Sequence, residues 1–138
     1  MRSGQRGAML LEALIAILIF SLGILALVGL QAASVNSVAQ AKYRTDAAFL
    51  ANQIIGEMWL VAPATIANFN YPGGAAPALA PWADTVAATL PKVAENPPRI
   101  VVAGSAAAGY TVTVTVSWQS PQALAASSHT ETAFIFKQ

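Results

Sequence analysis

Cysteine is absent from this 138-residue chain, which excludes disulfides, thiolate metal sites and cysteine nucleophiles. Charge is also scarce, since only 9% of the residues are charged against about 25% in a typical soluble domain. Seven basic and six acidic residues leave no broad nucleic-acid-binding face. The residues present are 56% hydrophobic, with a mean hydropathy of +0.56. These values fit neither a disordered tail nor an ordinary cytosolic domain, and the length suits one small domain.

Side chains that carry chemistry are equally few. His129 is the only histidine, and its hydroxyl-bearing neighbours predict a solvated position in a polar loop. The carboxylates of Asp84, Glu95 and Glu131 are far apart in sequence, and no phosphate-binding loop, nucleophile elbow or zinc-protease motif occurs. We therefore expect no enzyme activity, no cofactor, no metal site and no small-molecule substrate.

The hydrophobicity is concentrated in residues 8–30, where Glu12 is the only ionisable side chain. A helix of that length rises about 35 Å, enough to cross a hydrocarbon core of about 30 Å. Arg2 and Arg6 precede it without any acidic residue. Because basic residues favour the cytoplasmic side, the pattern predicts a single-pass protein with a cytoplasmic N-terminus and an exported C-terminal region.

Glu12 separates the interpretations of this segment. A cleaved secretory signal would need a shorter apolar run, and the nearest Ala-x-Ala triplet, Ala39-Gln40-Ala41, lies nine residues beyond it. A plain membrane anchor gains nothing from a carboxylate, which costs about 2.5–3.5 kcal/mol at the centre of a span and less near its end. An intramembrane ionisable residue indicates a function and a partner, and a free amino terminus would suit it.

The residues Gly7-Ala8-Met9-Leu10-Leu11-Glu12, after a short basic leader, resemble the class III signal of type IV prepilins. The resemblance implies cleavage between Gly7 and Ala8 by a prepilin peptidase and N-methylation of Ala8. It also implies that Glu12, fifth in the mature chain, attracts the terminal amine of an adjoining subunit during assembly. The mature chain would start Ala8-Met9, where the family usually has Phe-Thr.

Further matches narrow the family. The residues of 21–25, 28–31 and 44–51 are similar to those of minor pilins of the PilV group, and this likeness covers about the first 60 residues. It implies a structural component that initiates or modifies a type IV pilus. Its partners would be prepilin peptidase, the major pilin, other minor pilins and the assembly platform of the bacterial inner membrane, from which it would pass into the pilus at the cell surface.

Three alternatives stay open at this point. The nearest is a minor pseudopilin of type II secretion, which shares the signal and the helix. A pilus-borne adhesin or DNA-uptake module is the second, although few basic residues favour DNA binding. The third is an unprocessed single-span protein that keeps residues 1–7.

The pattern along the chain predicts an α+β protein, and the resemblance implies that it has a type IV pilin-like fold. After a leader at 1–7, one helix covers 8–60, apolar all round over 8–30 and amphipathic over 31–60. Seven of the eight prolines fall within 61–98, which predicts a connecting region of loops and turns. The stripe that would face the core of the exported region contains Val35, Val38, Tyr43, Ala47, Leu50, Ile54 and Met58.

Residues 99–138 are predicted to form an antiparallel sheet of three or four strands packed on the helix. Residues 110–118 alternate between apolar and hydroxyl-bearing side chains, so the threonines should face water. A strand at 99–102, a turn at 104–109 and a last strand at 132–137 complete the prediction.

Overall fold

A computed structural model describes residues 5–136, with side chains from residue 7 onward. It confirms an α+β layout in which a long N-terminal helix packs on a three-stranded antiparallel sheet. The chain divides into two units, Met1–Val38 and Ala39–Gln138. The elements in chain order are helix α1 (Gln5–Leu60), a 3-10 helix (Pro63–Phe69), helix α2 (Leu79–Thr89) and strands β1 (Arg99–Ser105), β2 (Gly109–Trp118) and β3 (Ser127–Ile135).

Helix α1 runs for 56 residues because no proline interrupts the chain before Pro63. Its buried positions follow helical spacing and carry only apolar side chains: Ala47, Leu50, Ala51, Ile54, Ile55 and Met58. The predicted stripe was wrong at its N-terminal end, since Val35 and Val38 are 68% and 67% exposed. Both precede the Ala39–Gln138 unit, which contains the whole buried core.

The sheet has the order β1-β2-β3, and both pairings are antiparallel. Val112, Val114 and Val116 of β2 are fully buried, while the threonines between them lie on the other face. The predicted alternation is thus confirmed. The β1–β2 turn is shorter than expected, because Ser105 already pairs with Gly109. Gly109 adopts a positive φ of 88°, a conformation that glycine reaches without strain.

Strand β3 begins five residues before the predicted start. Ser127 to Glu131 lack the apolar alternation that marks a strand, yet they pair in continuous register with β2, from Trp118 opposite Ser127 to Val114 opposite Glu131. Backbone pairing to a strong neighbouring strand therefore determines this segment, rather than its own hydrophobic pattern. The strand ends at Ile135, and Lys137, where the predicted strand ended, lies outside the described residues.

Residues 61–98 are not simply loop, because they contain the 3-10 helix and α2. The prolines were misleading, since Pro63 opens the 3-10 helix and Pro81 lies in the first turn of α2. Proline is tolerated there because the first N–H groups of a helix have no intrahelical partner. Leu79, Trp82 and Val86 form the buried face of α2 at helical spacing.

Trp82 joins α2 to α1. Its side chain is 3% exposed, and its indole Nε1–H donates a hydrogen bond to the Leu50 carbonyl at 2.9 Å. The ring of Tyr71 meets it edge to face, with centroids 6.1 Å apart. Tyr71 also exchanges both backbone hydrogen bonds with Ile100 of β1. The core of the Ala39–Gln138 unit is therefore built from α1, α2 and the inner face of the sheet.

Candidate functional site

The N-terminal part of α1 presents an unbroken apolar surface. Every described side chain from Gly7 to Leu30 is exposed, including Leu10 at 68% and Phe20 at 69%. The most apolar 18-residue window has a hydropathy of 2.9 and no buried residue. By length and composition, α1 could cross a membrane, and no other described helix could. A helix that is apolar all round needs lipid or neighbouring helices to cover it.

Glu12 is the only ionisable residue between Gly7 and Ala41, and its side chain is exposed. It forms no ion pair with any described residue. Ala8 lies four residues earlier on the same helix, so both residues share one face. Helical side chains lean toward the N-terminus, which directs the Glu12 carboxylate toward Ala8.

Gly7 has no structural reason to be glycine, because an added Cβ would meet no atom within 4 Å. Its backbone is helical, a conformation that alanine adopts more readily than glycine. Arg2 and Arg6, the residues expected to set the orientation of the chain in the membrane, cannot be described in such detail. Arg2 lies outside the described residues, as does the side chain of Arg6.

In the Ala39–Gln138 unit, the two lysine–carboxylate pairs of the described residues join side chains that are close in sequence. Lys42 bonds to Asp46 at 3.1 Å, four residues later on α1, and Lys92 lies 4.0 Å from Glu95. Within residues 5–136, no group of three histidine, aspartate or glutamate side chains could hold a metal ion.

His129 does not lie in a loop, contrary to the sequence-based prediction. It is in β3 opposite Val116, on the sheet face that packs toward α1, with 22% of its side chain exposed. Its Nε2 lies 3.4 Å from a carboxylate oxygen of Glu131, two residues along the same face. That nitrogen is buried and has no partner of hydrogen-bond geometry among the described atoms. The sequence did not indicate this position for His129, because no strand was predicted before residue 132.

Two grooves in the Ala39–Gln138 unit differ in character. One, of about 340 Å³, is mainly apolar and is lined by the 3-10 helix and the chain before α2. The other, of about 500 Å³, is more polar and opens where β2 ends and β3 begins; its lining residues are Gln40, Ala41, Arg44, Trp118, Ser127 and Ser128. No sequence pattern pointed to this groove, because the residues of its two walls are about 80 positions apart in the chain.

The two candidate regions are therefore an exposed apolar helix that contains one carboxylate and a polar groove with one guanidinium. Comparison of the chain with protein-family models, with curated proteins and with solved structures gives no match.

Proposed function

We propose that this chain is a minor pilin of the PilV group, a structural component that initiates or modifies a type IV pilus. The observation that carries the proposal is the exposed apolar helix from Gly7 to Leu30, with Glu12 as its only ionisable residue, joined in one chain to a small α+β unit. The prepilin-like signal at Gly7-Ala8 would also explain why a basic leader precedes the helix and why the helix contains the carboxylate of Glu12.

The apolar helix supports residence in the bacterial inner membrane before assembly. Residues 8–30 span about 35 Å as a helix, which matches the bilayer core. Outside lipid, the same surface would have to be covered by the helices of other subunits. A pilin needs both environments in turn, first the membrane and then the helical bundle at the centre of a filament.

Processing would prepare the chain for that transfer. The formal charge of the whole chain is +1, and loss of Arg2 and Arg6 leaves five basic and six acidic residues. Each arginine would cost about 2.5–3.5 kcal/mol at the centre of a bilayer, so the leader holds the N-terminus at the cytoplasmic surface. The lack of any packing role for Gly7 fits a glycine that serves recognition by a peptidase.

Glu12 would then guide assembly. Cleavage creates a cationic amine on Ala8, and an apolar bundle strongly disfavours an unpaired charge. The carboxylate can meet the amine of its own chain, one turn away, or that of an adjoining subunit. Before assembly the pair within one chain lowers the cost of insertion. In the filament, a pair between subunits penalises a wrong axial register.

The first experiment is the intact mass of the chain purified from membranes and from sheared surface filaments. We expect a species that begins at Ala8 and carries one added methyl group in both fractions. Gly7→Glu should retain residues 1–7 and stay in the membrane. A wild-type chain that keeps Met1 to Gly7 in a piliated cell would contradict the proposal. A processed chain that never enters sheared pili would instead favour a type II secretion pseudopilin.

The second experiment replaces Glu12 by leucine, with Gln31→Leu as a matched polar-to-leucine control on the same helix. Removing one member of a buried ion pair costs about 3–5 kcal/mol. We therefore expect the Glu12→Leu chain to insert normally but to fall at least tenfold in sheared filaments, since about 1.4 kcal/mol corresponds to tenfold. Gln31→Leu should assemble as the wild type does. Equal filament content for both variants would rule out the pairing role.

A further inference from the structure

The β2–β3 loop, residues 119–126, presents the most exposed large apolar side chain of the described residues. Leu124 is 103% exposed, so its side chain packs against nothing else in the chain. Residues 119–128 contain no ionisable side chain, and Pro121, Ala125 and Ala126 beside Leu124 are exposed as well. Nothing in the proposed pilus function uses this loop.

Hydrogen bonds hold the β2–β3 loop in a defined turn. The Ala123 N–H donates to the Ser120 carbonyl at 2.9 Å, and Gln119 Nε2 donates to the Ala123 carbonyl at 2.9 Å. Ser120 is only 8% exposed, and its hydroxyl accepts a hydrogen bond from Gln40 at 3.1 Å. Leu124 therefore projects from an anchored turn, which loses less entropy on making a contact than a mobile loop would.

The loop lies at the end of the Ala39–Gln138 unit where α1 enters it. Gln40 is the second residue of that unit, and besides Ser120 it bonds to the Trp118 indole at the end of β2. The helical segment from Leu30 to Gln40 rises about 15 Å. A bilayer around residues 8–30 would have its headgroup layer, about 5–8 Å thick, within that interval. Of the two ends of the sheet, the loop is at the one nearer to such a bilayer along the chain.

Positive charge accompanies the exposed leucine. Arg44 lines the polar groove together with Trp118 and Ser127, the residues on either side of the loop. Arg44 is exposed and forms no ion pair with any described residue. Residues 39–46 carry two positive charges and one negative charge, and the loop itself carries none. Anionic lipid headgroups attract a basic residue near the surface by about fivefold.

We propose that the β2–β3 loop docks on the surface of the bilayer that holds residues 8–30, with Leu124 inserted at the headgroup boundary and Arg44 on anionic headgroups. Burial of a leucine side chain favours the docked state by about tenfold. The spanning helix keeps the loop near the surface at a high effective concentration, so a contribution of this size is sufficient. The proposal rests on the membrane residence of residues 8–30, and not on the prepilin signal or on pilus assembly.

The test uses nitroxide labels, because the chain has no cysteine and single cysteines can be introduced. Full chains with Ala125→Cys, Ala107→Cys or Leu22→Cys are labelled and placed in nanodiscs of phosphatidylcholine and phosphatidylglycerol. Ala125 reports on the loop with Leu124 intact, Ala107 lies in the exposed turn at the other end of β2, and Leu22 reports on the span. Collisions with oxygen and with a water-soluble nickel complex measure the depth of each label. We expect the label at Ala125 to be about tenfold less accessible to nickel than the label at Ala107.

Matched variants assign the contacts. In the chain labelled at Ala125, Leu124→Ser should lower the ratio of docked to undocked label about tenfold, and Arg44→Gln about fivefold. Leu60→Ser and Arg99→Gln serve as controls, because Leu60 is 81% exposed at the end of α1 and Arg99 is exposed on β1 without an ion pair among the described residues. Nanodiscs of phosphatidylcholine alone should reproduce the loss seen in Arg44→Gln.

The outcomes separate the docking from the membrane span. A water-exposed label at Ala125 with a lipid-exposed label at Leu22 would overturn the docking and leave the span intact. A water-exposed label at Leu22 would contradict membrane residence, and the docking with it. Spin–spin broadening at Ala125 would show that the loop meets a second copy and not lipid, which would also overturn the proposal. So would docking that persists undiminished in Leu124→Ser.

Discussion

Replacing Trp82 by phenylalanine tests whether α2 truly belongs to the core. The change removes the hydrogen bond from Nε1 to the Leu50 carbonyl, worth about 1 kcal/mol net. It also removes about 40 Å³ of buried side chain, which costs about 1 kcal/mol at about 24 cal/mol per Å³ of cavity. Lost apolar burial brings the total to about 2–3 kcal/mol. Trp59→Phe is the matched control, since Trp59 is 46% exposed, and it should change stability by less than about 0.5 kcal/mol.

The assay is urea unfolding of the full chain in micelles, followed by near-ultraviolet circular dichroism. Trp118 reports in both variants, because it is 2% exposed and lies in the Ala39–Gln138 unit. With a slope of about 1–1.5 kcal/mol per M urea, the midpoint of Trp82→Phe should fall by about 2 M. If the two variants had the same midpoint, Trp82 would not pack on α1 as described, and residues 61–98 would be the loop that their prolines suggested.

Two further matched pairs test the sheet and the helix. Gly109→Ala should destabilise by about 1–3 kcal/mol, because Gly109 has a positive φ and its added Cβ would collide with the ring of Phe134. Gly56→Ala should stabilise the fold by about 0.5–1 kcal/mol, because its added Cβ meets no atom within 4 Å and alanine favours a helix more than glycine does. The same urea assay measures both variants. If the two substitutions changed the free energy of unfolding in the same direction, the turn geometry at Gly109 would be contradicted. Val112→Ala should cost about 2 kcal/mol, as it is fully buried, while Val35→Ala should cost less than about 0.5 kcal/mol. A large effect at Val35 in the isolated chain would restore the longer core stripe.

The sequence carried information on the N-terminal candidate site because that site is local. Gly7, Ala8 and Glu12 lie within two helical turns, so their spacing alone defines their relation. The polar groove could not be found in this way. Gln40 bonds to Trp118, and Arg44 lines the same groove as Ser127, only because α1 packs against the end of β2, and no local pattern encodes a contact over about 80 residues.

The sequence by itself determined the long helix and strand β2. Neither is interrupted by proline; the buried positions of the helix recur at helical spacing from Ala47 to Met58, and the strand alternates with a period of two. Tertiary structure decided the rest. α2 forms where its proline sits in the first turn and its apolar face finds α1, and β3 extends over Ser127 to Glu131 because β2 offers a ladder of backbone partners. In both segments the local signal is weak or misleading, so packing and pairing with distant residues supply the free energy that fixes the conformation.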